Sequence, residues 1–211
     1  QKGYHGVAIL SKRPFEATSR QGFCDMGDAR HICVTLGRAA GLEAPLTIHN
    51  FYIPAGGDIP DPALNEKFRH KLAFLDEATM WEQLHPEDPA ARSVLVGDLN
   101  IAPLETDVWS HKQLLDVVSH TPIEVEKLER LQAAGRWVDV MRNFVPPEEK
   151  LFTWWSYRAA DWEASNRGRR LDHVWATPAF APTARAMNVV RAARSWERPS
   201  DHVPVVVTFD V

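Results

Sequence analysis

Ser93-Val94-Leu95-Val96-Gly97-Asp98-Leu99-Asn100 is the stretch from which the fold is read. A short unbroken apolar run rich in β-branched residues is the signature of a strand buried on both faces. The run enters a glycine, and Asp98 and Asn100 fall where the strand leaves its sheet. Strand residues two apart point the same way, so a carboxylate and an amide share one mouth. Open α/β sheets place their chemistry at such strand ends. The alternative is that both side chains merely cap and turn the chain. The rest of the sequence decides between the two.

A chain of 211 residues can bury one substantial core, and residues 1–211 read as a single domain. Hydrophobic content of 45% and charge of 25% are those of a soluble globular protein. No apolar run reaches the length of a membrane span and no signal peptide precedes the fold, so no membrane partner is expected. The expected location is cytoplasmic, of the bacterial type, with use at the nucleoid. Cys24 and Cys33 lack metal-ligand spacing and read as buried small hydrophobes in a reducing compartment. A net charge of −4 argues against a protein that coats nucleic acid indiscriminately. Charge is uneven, however. Between Arg158 and Arg198 eight arginines face four acids, a local +4 that suits a phosphate-bearing partner met at one face.

Around the central run, Gly6 to Ser11, Arg30 to Gly37, Leu46 to Pro54, Phe152 to Tyr157, Arg170 to Ala176 and Val203 to Val211 read as strands. Asp61-Pro62 is expected to open a helix of about five turns bearing Leu64, Phe68, Leu72, Leu75 and Trp81. A weaker helical pattern covers Asp107 to Val118. Thr121-Pro122-Ile123-Glu124 is a capping box, and its helix should stop at Gly135. Strands interspersed with helices, without internal repeats, predict a layered α/β domain.

Several polar residues fall at separate strand ends. Asp172 lies between apolar neighbours, after the basic run Arg167-Gly168-Arg169-Arg170. Asp201-His202 precedes the last buried strand, and an acid from another strand could orient that imidazole and stabilise its cation. The competing readings are an Asp172–arginine pair and a satisfied core histidine. Tyr52, just before Pro54 and a glycine pair, could donate to a phosphate or leaving oxygen or could simply pack as a core aromatic. Asp98 and Asp201 supply the oxygen-rich surroundings that Mg²⁺ accepts. No zinc cluster, phosphate-binding Gly-rich loop or nucleophile-elbow serine is present, which favours phosphodiester hydrolysis by activated water. Trp154, or its neighbour Trp155, beside the arginines could stack a base or wall a sugar pocket.

Gly97-Asp-Leu-Asn-Ile-Ala-Pro103, Asn50-Phe-Tyr-Ile-Pro54, Asn166-Arg-Gly-Arg-Arg-Leu-Asp172 and Ser200-Asp-His-Val-Pro204 together resemble the exonuclease III family of abasic-site endonucleases. The likeness runs from Gly3 to the C-terminus. It implies a four-layer α/β sandwich of two mixed sheets flanked by helices, the DNase I-like fold. It implies hydrolysis 5′ to abasic sites and trimming of 3′ ends in duplex DNA, with Mg²⁺ or Mn²⁺. By the same resemblance Asp98 aligns or deprotonates the attacking water, Asn100 holds the phosphate and Tyr52 contacts the phosphate or leaving oxygen. Asp172 would orient His202, Asp201 would join the metal region and Trp154 would wall the abasic-sugar pocket. Asn166, Arg167, Arg169 and Arg170 would contact DNA.

The family's first strand, carrying an Asn, and a later Gln-Glu-Thr strand have no counterpart in these 211 residues. The fold is therefore expected to be N-terminally incomplete, without the family's principal metal-binding Glu. Weak activity and self-association through an open sheet edge are expected to follow. Two alternatives stand beside the nuclease: a phosphoesterase acting on a lipid or small ester, and a non-catalytic DNA-binding or assembly module.

Overall fold

Asp98 and Asp172 lie directly opposite one another across two antiparallel strands, and the rest of the fold serves to hold that pair. The computed structural model describes residues 5–85, 88–159 and 161–211; Gly3, where the resemblance begins, lies outside them. A six-stranded mixed sheet carries β1 (Ala17–Ser19), β2 (His31–Leu36), β3 (Leu46–Tyr52), β4 (Ser93–Asp98), β8 (Asp172–Ala176) and β5 (Val138–Asp139), in that spatial order. β3 and β4 run parallel because the helix between them, α1 (Glu66–Leu84), returns the chain to the same end. The other pairings in this sheet are antiparallel.

Alternation along the central strands explains their lack of a polar face. Phe51, Leu95 and Trp175 point to one side, where α1 and α3 (Pro122–Ala134) cover them with Phe74, Leu75, Leu128 and Leu131. Val94 and Val174 point to the other side, toward Met187, Val189, Val205 and Val207 of the antiparallel pair β9 (Ala184–Val189) and β10 (Val205–Phe209). Helices, mixed sheet and second sheet thus form stacked layers, the α/β arrangement read from the sequence. A shorter ribbon, β6 (Trp154–Trp155) with β7 (Gly168–Arg169), closes one end. Between its strands lies the one-turn helix α4 (Trp162–Ser165). No described helix is long and apolar enough to cross a membrane.

The Thr121 capping box and the stop at Gly135 occur as expected. Other elements differ. Gly6 to Ser11 forms no strand: no ladder partner faces it, Leu10 is 91% exposed and Val7 alone is buried. Apolar alternation makes a strand only where a neighbour takes up the backbone hydrogen bonds. α1 begins at Glu66, because Asp61 is used in a turn that receives the Ala63 N–H, and Asn65 caps the helix through Lys67 N. Leu64 is consequently exposed. The pattern over Asp107 to Val118 yields only the single turn α2 (His111–Leu114). Asp107 cannot sit on a solvated helix there because two arginines hold it in the interior. Cys33 is buried and unbridged, whereas Cys24 is only partly covered, its thiol pushed up to about 11 by burial and by Glu77.

Candidate active site

Strand register assembles the site. Tyr52 on β3 pairs with Asp98 on β4, which pairs with Asp172 on β8, so three strand ends form one polar row. The close approach depends on Gly97, with φ +148°: a Cβ there would lie 1.9 Å from the Phe51 carbonyl oxygen. Beyond the row, a backbone bridge between Trp154 and His202 brings the imidazole over the acids. His202 Nδ1 lies 2.8 Å from Asp172 Oδ2, a hydrogen-bonding distance. His202 Nε2 stands 3.7 Å from Asp98 Oδ2, too far for a hydrogen bond, so an oxygen placed to one side of the pair could reach both. The acid, the imidazole and the orienting acid thus converge as the sequence motifs suggested.

The electrostatics follow from crowding. Burial first, then the charge of Asp172, raises the Asp98 carboxyl to about 7, against the opposing pull of His202. Burial alone would lower His202, but the hydrogen bond and charge of Asp172, reinforced by Asp98 and Asp201, push it up to about 9. Between those values the imidazole is cationic and Asp98 is ionised. Asp98, Asp172 and His202 offer three ligand atoms within 4.8 Å of one another. The imidazole is already engaged by Asp172, so the two carboxylates are the hard oxygen donors. Two acids forced together in a poorly hydrated floor fit a divalent cation, which relieves their mutual repulsion.

Asn100 sits at φ +54° and is buried. Its side-chain amide donates to Ile53 O and to Asp98 Oδ2, both at 3.0 Å, and its backbone N–H donates to Asp98 Oδ1. The two side-chain amide hydrogens are therefore spent on Ile53 O and Asp98, where the resemblance implied a phosphate contact. Asp201 lies outside the three-residue ligand group and accepts the Trp154 indole N–H at 2.9 Å, fixing that ring at the cleft wall.

The cleft above the row encloses about 990 Å³ and is lined by Tyr52, Trp109, Trp154, Arg158, Arg167 and Arg169 among others. Arg167 is exposed and lies over Trp109. Asn166 ends α4 in the left-handed region and accepts the Trp155 indole N–H; it supports the wall without lining the cleft. Arg170 is a correction. It is fully buried and bridges Asp107 and Asp139, so it cannot touch DNA. The local surplus of arginines is likewise partly spent inside the protein: Arg194 is buried over Tyr157, whereas Arg191 lies exposed over Trp155 and Arg185 pairs with Asp210 at the surface.

Two residues carry weight that the motifs did not reveal. Buried Thr153 donates from Oγ1 to Asp172 Oδ2 at 2.6 Å and accepts the Leu171 and Asp172 N–H groups. Buried Lys71 donates to the Asn100 carbonyl at 2.8 Å and pairs with Glu124. Thr153→Val removes the donor and strands two N–H groups. Its expected effect is a fall of about tenfold in turnover together with about 1–3 kcal/mol of stability, while Thr153→Ser retains most of both. Steady-state kinetics and urea unfolding of the pair check this.

Comparison with known proteins agrees with the geometry. A family model described as "Endonuclease/Exonuclease/phosphatase family" matches residues 1–202. An exodeoxyribonuclease III of Haemophilus influenzae is 31% identical over 218 residues, covering 99% of this chain and 78% of the relative. An AP endonuclease from Archaeoglobus fulgidus superposes with a TM-score of 0.81 at 28% identity, over 94% of this chain and 72% of that one. A 3′ phosphatase from Neisseria, solved bound to a product DNA hairpin, gives 0.79 at 26% identity, over 95% and 73%.

Proposed function

The chain belongs to the endonuclease/exonuclease/phosphatase family, and from that premise we propose that it is a DNA repair phosphodiesterase that incises 5′ to abasic sites and trims 3′ ends, with Mg²⁺ or Mn²⁺ as its ion. The observation that carries this reading is the Asp98–His202–Asp172 group at the floor of a cleft walled by tryptophan and arginine.

Each residue has a task set by its surroundings. Asp98, held by both donors of Asn100, accepts the proton of the attacking water, for which a carboxyl raised toward neutrality is suited. His202, cationic and aimed by Asp172, donates from Nε2 to a phosphate oxygen as charge develops there. Tyr52, at the end of the same row and lining the cleft, would contact the phosphate or the leaving oxygen. Trp154 walls the sugar site, and Arg158 and Arg167 bind flanking phosphates. Asp98 and Asp172 would hold the divalent ion, which neutralises phosphate charge when bound.

The test is incision of a duplex with one abasic site, followed across pH with Mg²⁺, with Mn²⁺ and with a chelator. Activity should rise through about 7 as Asp98 ionises and fall through about 9 as His202 loses its proton. Added cation favours the ionised acid and shifts the rising limb to lower pH. Undiminished incision under chelation, or a rate still climbing well above pH 9, would count against the assignment. Faster hydrolysis of a small phosphate ester than of DNA would place the chain in another branch of the family.

A further inference from the structure

Arg169 is the anomaly of the cleft. Its guanidinium carbon lies 5.2 Å from the centre of the Trp154 ring, and Nη1 donates to Val118 O at 2.9 Å and Ser119 Oγ at 2.7 Å. Its Nε is buried and has no hydrogen-bond partner. Among the described residues no carboxylate lies within ion-pair distance of it, whereas Arg142 and Arg170 close by in sequence space or structure each hold an acid. The acid that acts on it most, Glu124, is already committed to Lys71, Ser119 and Thr121. A half-buried cation without a counter-ion is costly unless a ligand supplies the charge. The guanidinium also covers one face of the Trp154 ring.

We propose that Arg169 is the specificity-determining residue of this site, favouring a DNA 3′ end that bears a terminal phosphate over a substrate whose nearby phosphates are all diesters. The inference rests on the nuclease reading and sharpens it. A phosphomonoester carries roughly −1.5 to −2 charge near neutral pH, whereas a diester carries a single charge. The more highly charged group therefore gains more from an unpaired, poorly hydrated guanidinium, which matches phosphate oxygens in a fork. Arg158 and Arg167, on the more open wall, are left for the backbone phosphates that every duplex presents.

The experiment measures binding without cleavage. Nicked duplexes ending in a 3′-phosphate or a 3′-hydroxyl are titrated, in chelator, against the wild-type chain, Arg169→Met and Arg169→Lys. Methionine keeps an apolar stem over Trp154 and removes the charge. The wild type should prefer the 3′-phosphate about tenfold, Arg169→Met should lose that preference, and Arg169→Lys should restore part of it. Equal affinity of the wild type for both ends, or a preference that survives in Arg169→Met, overturns the proposal. Incision assays on the wild type, run separately, decide the nuclease reading; the binding ratio decides the role of Arg169 whatever they return.

Discussion

Asp98→Ala should abolish phosphodiester cleavage while the chain stays folded. General-base assistance by a positioned side chain contributes roughly 10²–10⁴-fold, and this acid would also help to hold a divalent ion. A loss of about 10³-fold or more in kcat is therefore expected, with a smaller effect on DNA binding, because the arginines and tryptophans of the wall remain. The fold should survive because Asp98 is not stabilised by its position. Its folded pKa lies above the ordinary carboxylate value, so between about 4 and about 7 the folded state holds a proton that the unfolded chain has lost. Stability contributed by this group therefore falls as pH rises through that window, and its ionised form is a burden at pH 8. Alanine removes that burden and the repulsion of Asp172, at the expense of two acceptors for Asn100. The thermal midpoint at pH 8 should stay within a few degrees of wild type. A chain that unfolds, or one that still cleaves at more than a tenth of the original rate, would break the link between the paired acids and catalysis.

What could be read in advance depended on whether local pattern or long-range pairing fixed a residue. Asp98, Asp172 and His202 were legible because each sits beside an apolar run, and strand ends are where polar groups gather. Their register was not legible, since no local feature states that Asp98 pairs with Asp172 rather than with a residue two positions away. Arg170, which the resemblance implied would contact DNA, is turned inward by strand alternation. In Arg169-Arg170-Leu171-Asp172, neighbours point to opposite sides, so one arginine reaches the cleft while the next enters the interior. Gly6 to Ser11 carries a strand-like pattern without forming a strand, because strand propensity is a statement about fit to a partner. Thr153 left no signal at all: a threonine between aromatic residues looks like ordinary sheet. Lys71 did leave one, because it lies on the buried stripe of α1 beside Phe68, Leu72 and Leu75, where a cation needs a reason.

That reason supports the second large prediction. Lys71 and Glu124 are both fully buried and 2.5 Å apart, joining α1 to the first turn of α3. Burial lowers the Lys71 pKa, and the charge and hydrogen bond of Glu124 oppose that shift. Glu124 also receives the N–H groups of Ser119 and Thr121 and the Thr121 hydroxyl, closing the capping box from inside the protein. Lys71→Met leaves this carboxylate without its cation in a site that water cannot reach. The expected loss is about 3–5 kcal/mol in urea unfolding, because removing one member of a buried pair strands the other. Glu124→Gln added to Lys71→Met should recover most of it, since glutamine can still close a capping box and carries no charge. Turnover should recover less than stability. The Asn100 carbonyl loses its lysine donor in both variants, and Asn100 is the residue that fixes both oxygens of Asp98. If the double variant regains stability and full activity together, the pair is only a helix clasp; if activity stays depressed, the clasp and the catalytic acid are one connected unit.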